Sequence, residues 1–109
     1  MEKSRVVLYC RVANDSGQML DSQKERVQAH AANMGFDVVY VITETGSGLV
    51  LERPGIKKLF QMAEAHVMDC VLAYDASRYA RGALPLMEFT NEMRAKGIEV
   101  LSIIDGPLV

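Results

Sequence analysis

The stretch Val71-Leu-Ala-Tyr-Asp-Ala-Ser-Arg-Tyr-Ala-Arg81 changes character at Asp75. From Cys70 to Tyr74 it is apolar without interruption, as a strand buried on both faces would be. Beyond Asp75 it is polar and carries Arg78 and Arg81, three residues apart. A strand is therefore expected at Cys70–Tyr74, with two guanidinium groups just past its carboxyl end. Reading outward, Val6–Cys10, Val38–Ile42 and Ile98–Ile104 are further short apolar runs rich in β-branched residues, and they read as strands. Three helical stripes lie between them. The first has Leu20, Val27, Ala31 and Met34 on one face and is ended by Gly35. The second is opened by Pro54, where a missing N–H is no loss, and turns Ile56, Leu59, Phe60, Ala63 and Val67 inward. The third runs from Leu84 to Lys96, with Leu86, Phe89 and Met93 inward and Gly97 as its stop. Strand and helix alternate three times. That order predicts a three-layer α/β domain in which a four-stranded parallel sheet is flanked by helices.

A chain of 109 residues, 50% of them hydrophobic, is long enough for one core. It has no internal repeat, low-complexity segment or interdomain linker. No apolar run approaches the roughly 20 residues of a membrane span, so a cytoplasmic protein without membrane contact is expected. The net charge of −2 argues against gripping nucleic acid by bulk charge, so any such binding must be local. Cys10 and Cys70 each lie in or beside an apolar run and read as buried free thiols. One ends its strand and the other begins a parallel one, which would hold their Cα atoms too far apart for a disulfide. With no His/Cys cluster nearby they make no metal site.

In parallel sheets ligands bind beyond the carboxyl ends of the strands. Arg11 follows the first apolar run, Arg53 closes the loop Thr45-Gly-Ser-Gly-Leu-Val-Leu-Glu-Arg53 after the second, and Arg78 and Arg81 follow the third. These are four of the chain's seven arginines. Guanidinium forks match phosphate oxygens, so four near one edge suggest a phosphodiester site. The plain alternative is surface arginines paired with Glu44, Glu52 and Asp75. Gln23 interrupts the first helical stripe between Leu20 and Val27. An inward Gln must be hydrogen-bonded, and it would point toward the edge that carries Arg11. A helix-start residue in a wet spot is the competing reading.

These residues resemble the serine recombinases: resolvases, invertases and transposon integrases. Tyr9-Cys-Arg-Val12 is similar to the Tyr-x-Arg-Val-Ser opening of that family, and Leu20-Asp-Ser-Gln23 to its Leu-x-x-Gln helix start. Glu44-Thr-Gly-Ser-Gly48 with Arg53-Pro-Gly55 resembles its acidic-x-x-Ser-Gly…Arg-Pro segment. Asp75-Ala-Ser-Arg-Tyr-Ala-Arg81 resembles the Asp-x-Ser-Arg-x-x-Arg motif of the large transposon type, and Lys96-Gly-Ile-Glu-Val-Leu-Ser102 the strand that follows it. The resemblance runs nearly end to end. It implies attack of a serine hydroxyl on a DNA phosphodiester, leaving a 5′-phosphoserine link and a free 3′-hydroxyl. Arginines would stabilise the charge of the transition state with no metal or nucleotide cofactor. Carried over by motif, Arg11, Arg53, Arg78 and Arg81 would contact the phosphate region, and Gln23, Ser47 and Asp75 would position groups around it. The family continues into a long helix for dimer and tetramer contacts and then a DNA-binding domain. Residues 1–109 are thus expected to be a catalytic domain alone, binding DNA and forming homo-oligomers in the context of a longer protein.

The chain departs from the family at the centre. The position matching the nucleophile holds Ala13, and a methyl group cannot attack phosphorus. Asn14 and Asp15 do not substitute: an amide is no nucleophile here and a carboxylate would repel the phosphate. Ser16 is a hydroxyl three residues on, in the loop Asn14-Asp-Ser-Gly-Gln18, which is one residue longer than the family spacing. Ser47 matches a different family position. Three readings follow: a recombinase catalytic domain whose Ala13 is an introduced Ser→Ala change or which uses Ser16, a degenerate homologue acting as a phosphate- or partner-binding module, and a receiver-like signalling domain. The last needs clustered acids at the first strand end, where this chain has Arg11.

Overall fold

The computed structural model describes residues 3–14 and 17–108. In chain order its elements are β1 (Arg5–Val12), α1 (Gly17–Asn33), β2 (Asp37–Thr45), α2 (Pro54–Glu64), β3 (Cys70–Ala73), α3 (Ala76–Tyr79), α4 (Ala83–Ala95), β4 (Glu99–Ser102) and β5 (Gly106–Pro107). The strands lie side by side as β2-β1-β3-β4-β5, the first four parallel and the last antiparallel.

Alternation along β1 sorts the core into two layers. Val7 and Tyr9 pack with Val71, Ala73, Ile56, Leu59, Phe89 and Met93 on the face covered by α2 and α4. Val6, Leu8 and Cys10 pack with Leu72, Val27 and Ala31 on the face covered by α1. Successive side chains of a strand point to opposite faces, so a continuous apolar run serves both layers at once. The three-layer α/β expectation holds. The sheet has five strands rather than four, because the chain turns at Asp105 and Gly106 and returns along β4. Gly106 has φ +72°, a conformation that favours glycine.

Other boundaries move for physical reasons. β1 runs on through Arg11 and Val12 because β2 pairs with it along its whole length, up to Val12 opposite Thr45. Arg11 is therefore part of the strand, not just past it. The strand expected over Ile98–Ile104 is β4, which begins at Glu99 and stops at Ser102, and Ile103 and Ile104 leave it. The short helix α3 carries Arg78 and was not expected, since four residues show no 3.6-residue period. The apolar start of β2 is not buried. Val38, Val39 and Tyr40 are 40%, 39% and 46% exposed because β2 is an edge strand. Val67, expected inward, lies beyond the end of α2 and is exposed, as is Met34 beyond α1.

The strand order places the site. β1 connects to β2 on one side, and the chain then crosses to β3 on the other. The carboxyl ends of β1 and β3 thus flank a topological switch point, where open α/β sheets leave a crevice. Arg11 and Arg78 stand at those two ends.

Candidate active site

The carbonyl of Val12 accepts from Gly46 N–H at 3.0 Å, toward β2. Alternation turns the N–H and C=O of Arg11 the other way, toward β3. β3 pairs with β1 only as far as Leu8, so no strand receives them. Gln23 takes that place. Its Oε1 accepts from Arg11 N–H at 3.0 Å and its Nε2 donates to the Arg11 carbonyl at 3.1 Å. Gln23 is buried, which decides between its two readings in favour of the inward one. A buried backbone pair left open would cost about 1–3 kcal/mol per group, which explains a polar side chain at a core position.

The Arg11 side chain is 2% exposed. Its guanidinium donates to three carbonyls: Nε to Arg78 at 2.8 Å, Nη1 to Gly46 at 2.7 Å and Nη2 to Ser77 at 2.6 Å. Two of its five N–H groups have no partner among the described residues. Among the described residues it has no carboxylate partner. Burial, reinforced by the nearby charges of Arg53, Arg78 and Arg81, holds its pKa below the usual arginine range. A buried cation beside other cations, balanced only by carbonyl dipoles, is a place where an anion would be stabilised.

Arg53 is buried too, but its donors are fully occupied. Nε and Nη2 reach the Tyr9 hydroxyl at 3.3 and 3.1 Å, and Nη1 donates to the carbonyls of Ser47 and Val50 at 2.8 and 2.6 Å. The remaining Nη2 proton goes to the Tyr79 carbonyl. Arg53 also lies 3.5 Å from a Glu44 carboxylate oxygen, as the plain pairing alternative foresaw. Arg53 therefore works as a strut beneath the loop after β2. That loop presents three successive carbonyls to three arginines: Gly46 to the Arg11 side chain, Ser47 to the Arg53 side chain and Gly48 to the Arg81 backbone N–H at 2.7 Å. Gly48 is buried where a Cβ would come within 2.6 Å of Arg81 Cγ and 2.8 Å of Arg11 Nη2. Only a residue without a side chain lets the two arginines close over it.

Arg78 is part-exposed. Its Nη1 donates to the Arg11 carbonyl at 3.1 Å, while its buried Nε has no hydrogen-bond partner and lies 3.7 Å from Asp75 Oδ1. This is the second pairing the plain alternative foresaw; Glu52 shows none among the described residues. Asp75 Oδ1 also accepts from the Ser77 hydroxyl at 2.6 Å. Arg81 is exposed, and its side chain has no hydrogen bond or ion pair among the described residues. The Ser47 hydroxyl is exposed and accepts from Leu49 N–H at 3.1 Å. Ala13 lies exposed directly after β1. Ser16 lies outside the described residues.

Several residues that hold the site drew little notice in the sequence. The Tyr9 hydroxyl donates to Glu44, and Glu44 accepts Gly55 N–H at 2.9 Å, near the start of α2. Tyr79 donates to the Leu101 carbonyl at 2.6 Å and stacks between Tyr9 and Phe89. Burial raises the pKa of both tyrosines, so neither hydroxyl is ionised near neutral pH. Asp105 accepts Ala76 N–H at 3.0 Å and the Ser102 hydroxyl at 2.9 Å, pinning the start of α3 to the end of β4. Parity with Val7 marks Tyr9 as facing α2; nothing local marks Asp105. Among the described residues no cluster of His, Cys, Asp or Glu could hold a metal ion, and no helix is long and apolar enough to cross a membrane.

The family model for the resolvase N-terminal domain matches residues 6–107. The chain belongs to that family. A protein of Bacillus subtilis (strain 168) named "Putative DNA recombinase" is 28% identical over 102 residues, which are 90% of this chain and 20% of that protein. The chain thus spans about a fifth of the curated relative it matches. Two solved structures are similar over 94% of this chain. One is the N-terminal catalytic domain of TP901-1 integrase, at 29% identity and TM-score 0.85, with 78% of that chain covered. The other is the C-terminal catalytic domain of ISC1926 TnpA, an IS607-like serine recombinase, at 27% identity and TM-score 0.84, with 71% covered. The resolvase fold and membership in the serine recombinase catalytic domain family rest on these matches together with the sheet order.

Proposed function

We propose that this chain is a serine recombinase catalytic domain whose arginine edge binds a DNA phosphodiester and whose covalent step is missing. The observation that carries the reading is Arg11: a buried guanidinium that, among the described residues, has donors to spare and no carboxylate partner, with Arg78 and Arg81 beside it. Phosphate oxygens would take the leftover N–H groups of Arg11, the outer Nη2 group of part-exposed Arg78 and the exposed Arg81 fork. The same groups would stabilise charge that develops on phosphorus. Gln23, Arg53, Ser47 and Asp75 act one step back. Gln23 fixes the Arg11 backbone, Arg53 the Gly46–Val50 loop, and Asp75 takes the Ser77 hydroxyl and stands beside Arg78 Nε, while the Ser47 hydroxyl lies at the rim. Ala13 supplies no oxygen, so no phosphoserine link forms there and the chain as written is inactive.

The degenerate-homologue reading, a phosphate- or partner-binding module, is favoured by that same methyl group. Both readings share the phosphate site and differ in what stands beyond it: a recombinase assembly on DNA, formed as a homo-oligomer of a longer protein, or a partner held without chemistry. The shared part is tested by titrating a nicked duplex oligonucleotide into the chain and its Arg78→Ala and Arg81→Ala variants. Each variant should bind at least about fivefold more weakly with its circular dichroism unchanged. Equal affinity for all three proteins would remove the arginine edge from the account.

A further inference from the structure

One face of α1 next to the arginine edge is unexplained by the site above. Two adjoining hollows, of about 260 and 380 Å³, share Arg26 and Tyr74 as walls. The first opens onto Gln23 and Arg78, and the second extends past His30 and Asn33 to Ile103 and Ile104. Residues 19, 22, 26, 30 and 33 recur at three- and four-residue steps, which places them in one row along the helix, beside the buried row of Gln23, Val27 and Ala31. From Ser22 to Asn33 the row is about 16 Å long at the rise of an α-helix. That is close to the axial length of five nucleotides of one duplex strand.

The chemistry of the row is one-sided. The chain has 14 acidic residues against 12 lysines and arginines, yet neither hollow is lined by a single Asp or Glu. Arg26 has no carboxylate partner among the described residues. Its guanidinium carbon stands 6.0 Å from the Tyr74 ring centroid, at the outer reach of a cation–π contact, so it is free to swing to an anion. Tyr74 is half-buried, with its ring packed against the core on the α1 side. A cation beside a half-open aromatic face, continuous with a phosphate site, is how single strands are held without sequence reading.

We infer that the Arg26–Tyr74 groove is a second subsite that takes the DNA strand adjoining the phosphodiester at the arginine edge, with a phosphate on Arg26 and an unstacked base against Tyr74. The inference rests on the phosphate-site reading and extends it along α1. It is tested by titrating single-stranded (dT)6 into the isotope-labelled chain to millimolar concentration, recording backbone amide shifts and repeating the binding curve across salt. Shifts are expected along α1 from Ser22 to Asn33 and at Tyr74, together with those at Arg78 and Arg81. Arg26→Gln should reduce the slope of log affinity against log salt by about 0.7, the loss of one single-strand phosphate contact. Tyr74→Leu should weaken binding about fivefold or more and Tyr74→Phe should leave it unchanged, since stacking needs the ring and not the hydroxyl. Shifts confined to the arginine edge, or an Arg26→Gln slope equal to that of the parent, would overturn the groove and leave the phosphate site standing. No shift anywhere would overturn both.

Discussion

Arg11 and Arg78 fix each other through a reciprocal pair of hydrogen bonds. Arg11 Nε donates to the Arg78 carbonyl at 2.8 Å, and Arg78 Nη1 donates to the Arg11 carbonyl at 3.1 Å. The end of β1 and the whole of α3 are therefore one unit, and the unit contains Arg11 and Arg78, two of the three arginines assigned to phosphate. Each arginine is set by the backbone of the other, so its direction does not depend on a bound ligand.

Replacing the fork at position 11 tests that unit. Arg11→Lys keeps the charge but cannot reach three carbonyls on two segments with one ammonium group. It should lower unfolding free energy by about 2 kcal/mol or more, because buried carbonyls lose charged donors. Arg81→Ala, at an exposed side chain, should change it by less than about 0.5 kcal/mol. Urea denaturation of the two variants measures both. Equal, small effects would mean that the Arg11 fork does not hold α3.

Gly48 tests how closely the arginines must approach. A Cβ there would meet Arg81 Cγ at 2.6 Å and Arg11 Nη2 at 2.8 Å. The Arg81 end is flexible and can retreat, whereas the Arg11 guanidinium is tied to three carbonyls. Gly48→Ala should therefore weaken binding of a nicked duplex by about tenfold, well beyond its effect on Tm. Unchanged affinity in a calorimetric titration would show that the arginines need not close over the loop.

The alternating pattern of apolar runs and helical stripes made the three layers legible, because both periods are set by burial on known faces. Gln23 was legible as well: a polar residue on an apolar face had to have a partner, and it does. The length of β1 was not, since Arg11 and Val12 stay in the strand only through pairing with β2, which no local signal reports. Arg53 looked like a further phosphate ligand by its place in the sequence. Its five hydrogen bonds to Tyr9, to Ser47 and Val50 of one loop, and to Tyr79 come from three separate places in the chain, so only the folded structure gathers them. The exposed start of β2 misled for the opposite reason: an apolar run looks the same at the edge of a sheet as at its centre.

The thiols give a check on sheet register. Cys70 pairs with Val6, four residues before Cys10, so the two thiols are about 13 Å apart along the strands and cannot bridge. Both are buried and free. Burial raises each from the usual 9.0 to about 11. Well below pH 9.0 both stay protonated in folded and unfolded chains alike and make stability no function of pH. From 9.0 toward about 11 the unfolded chain ionises first, so alkali favours unfolding. At pH 8 an aromatic disulfide reagent should react with neither thiol in the native protein and with both in urea. Fast native reaction, or a disulfide in the mass spectrum, would contradict the register.

If the phosphate site is intact and lacks one oxygen atom, restoring that oxygen should restore covalent trapping of DNA. The chain and its Ala13→Ser variant would each be joined to the long helix and DNA-binding domain of an active serine recombinase, beside that recombinase's own catalytic domain as a control. All three would be incubated with a gapped duplex carrying the matching crossover site and resolved on a denaturing gel. The account expects a covalent protein–DNA band from the control and from Ala13→Ser, and none from the chain with Ala13. A band from the Ala13 chain would assign the chemistry to another hydroxyl such as Ser16, and a band from the control alone would show that restoring the oxygen does not complete the site.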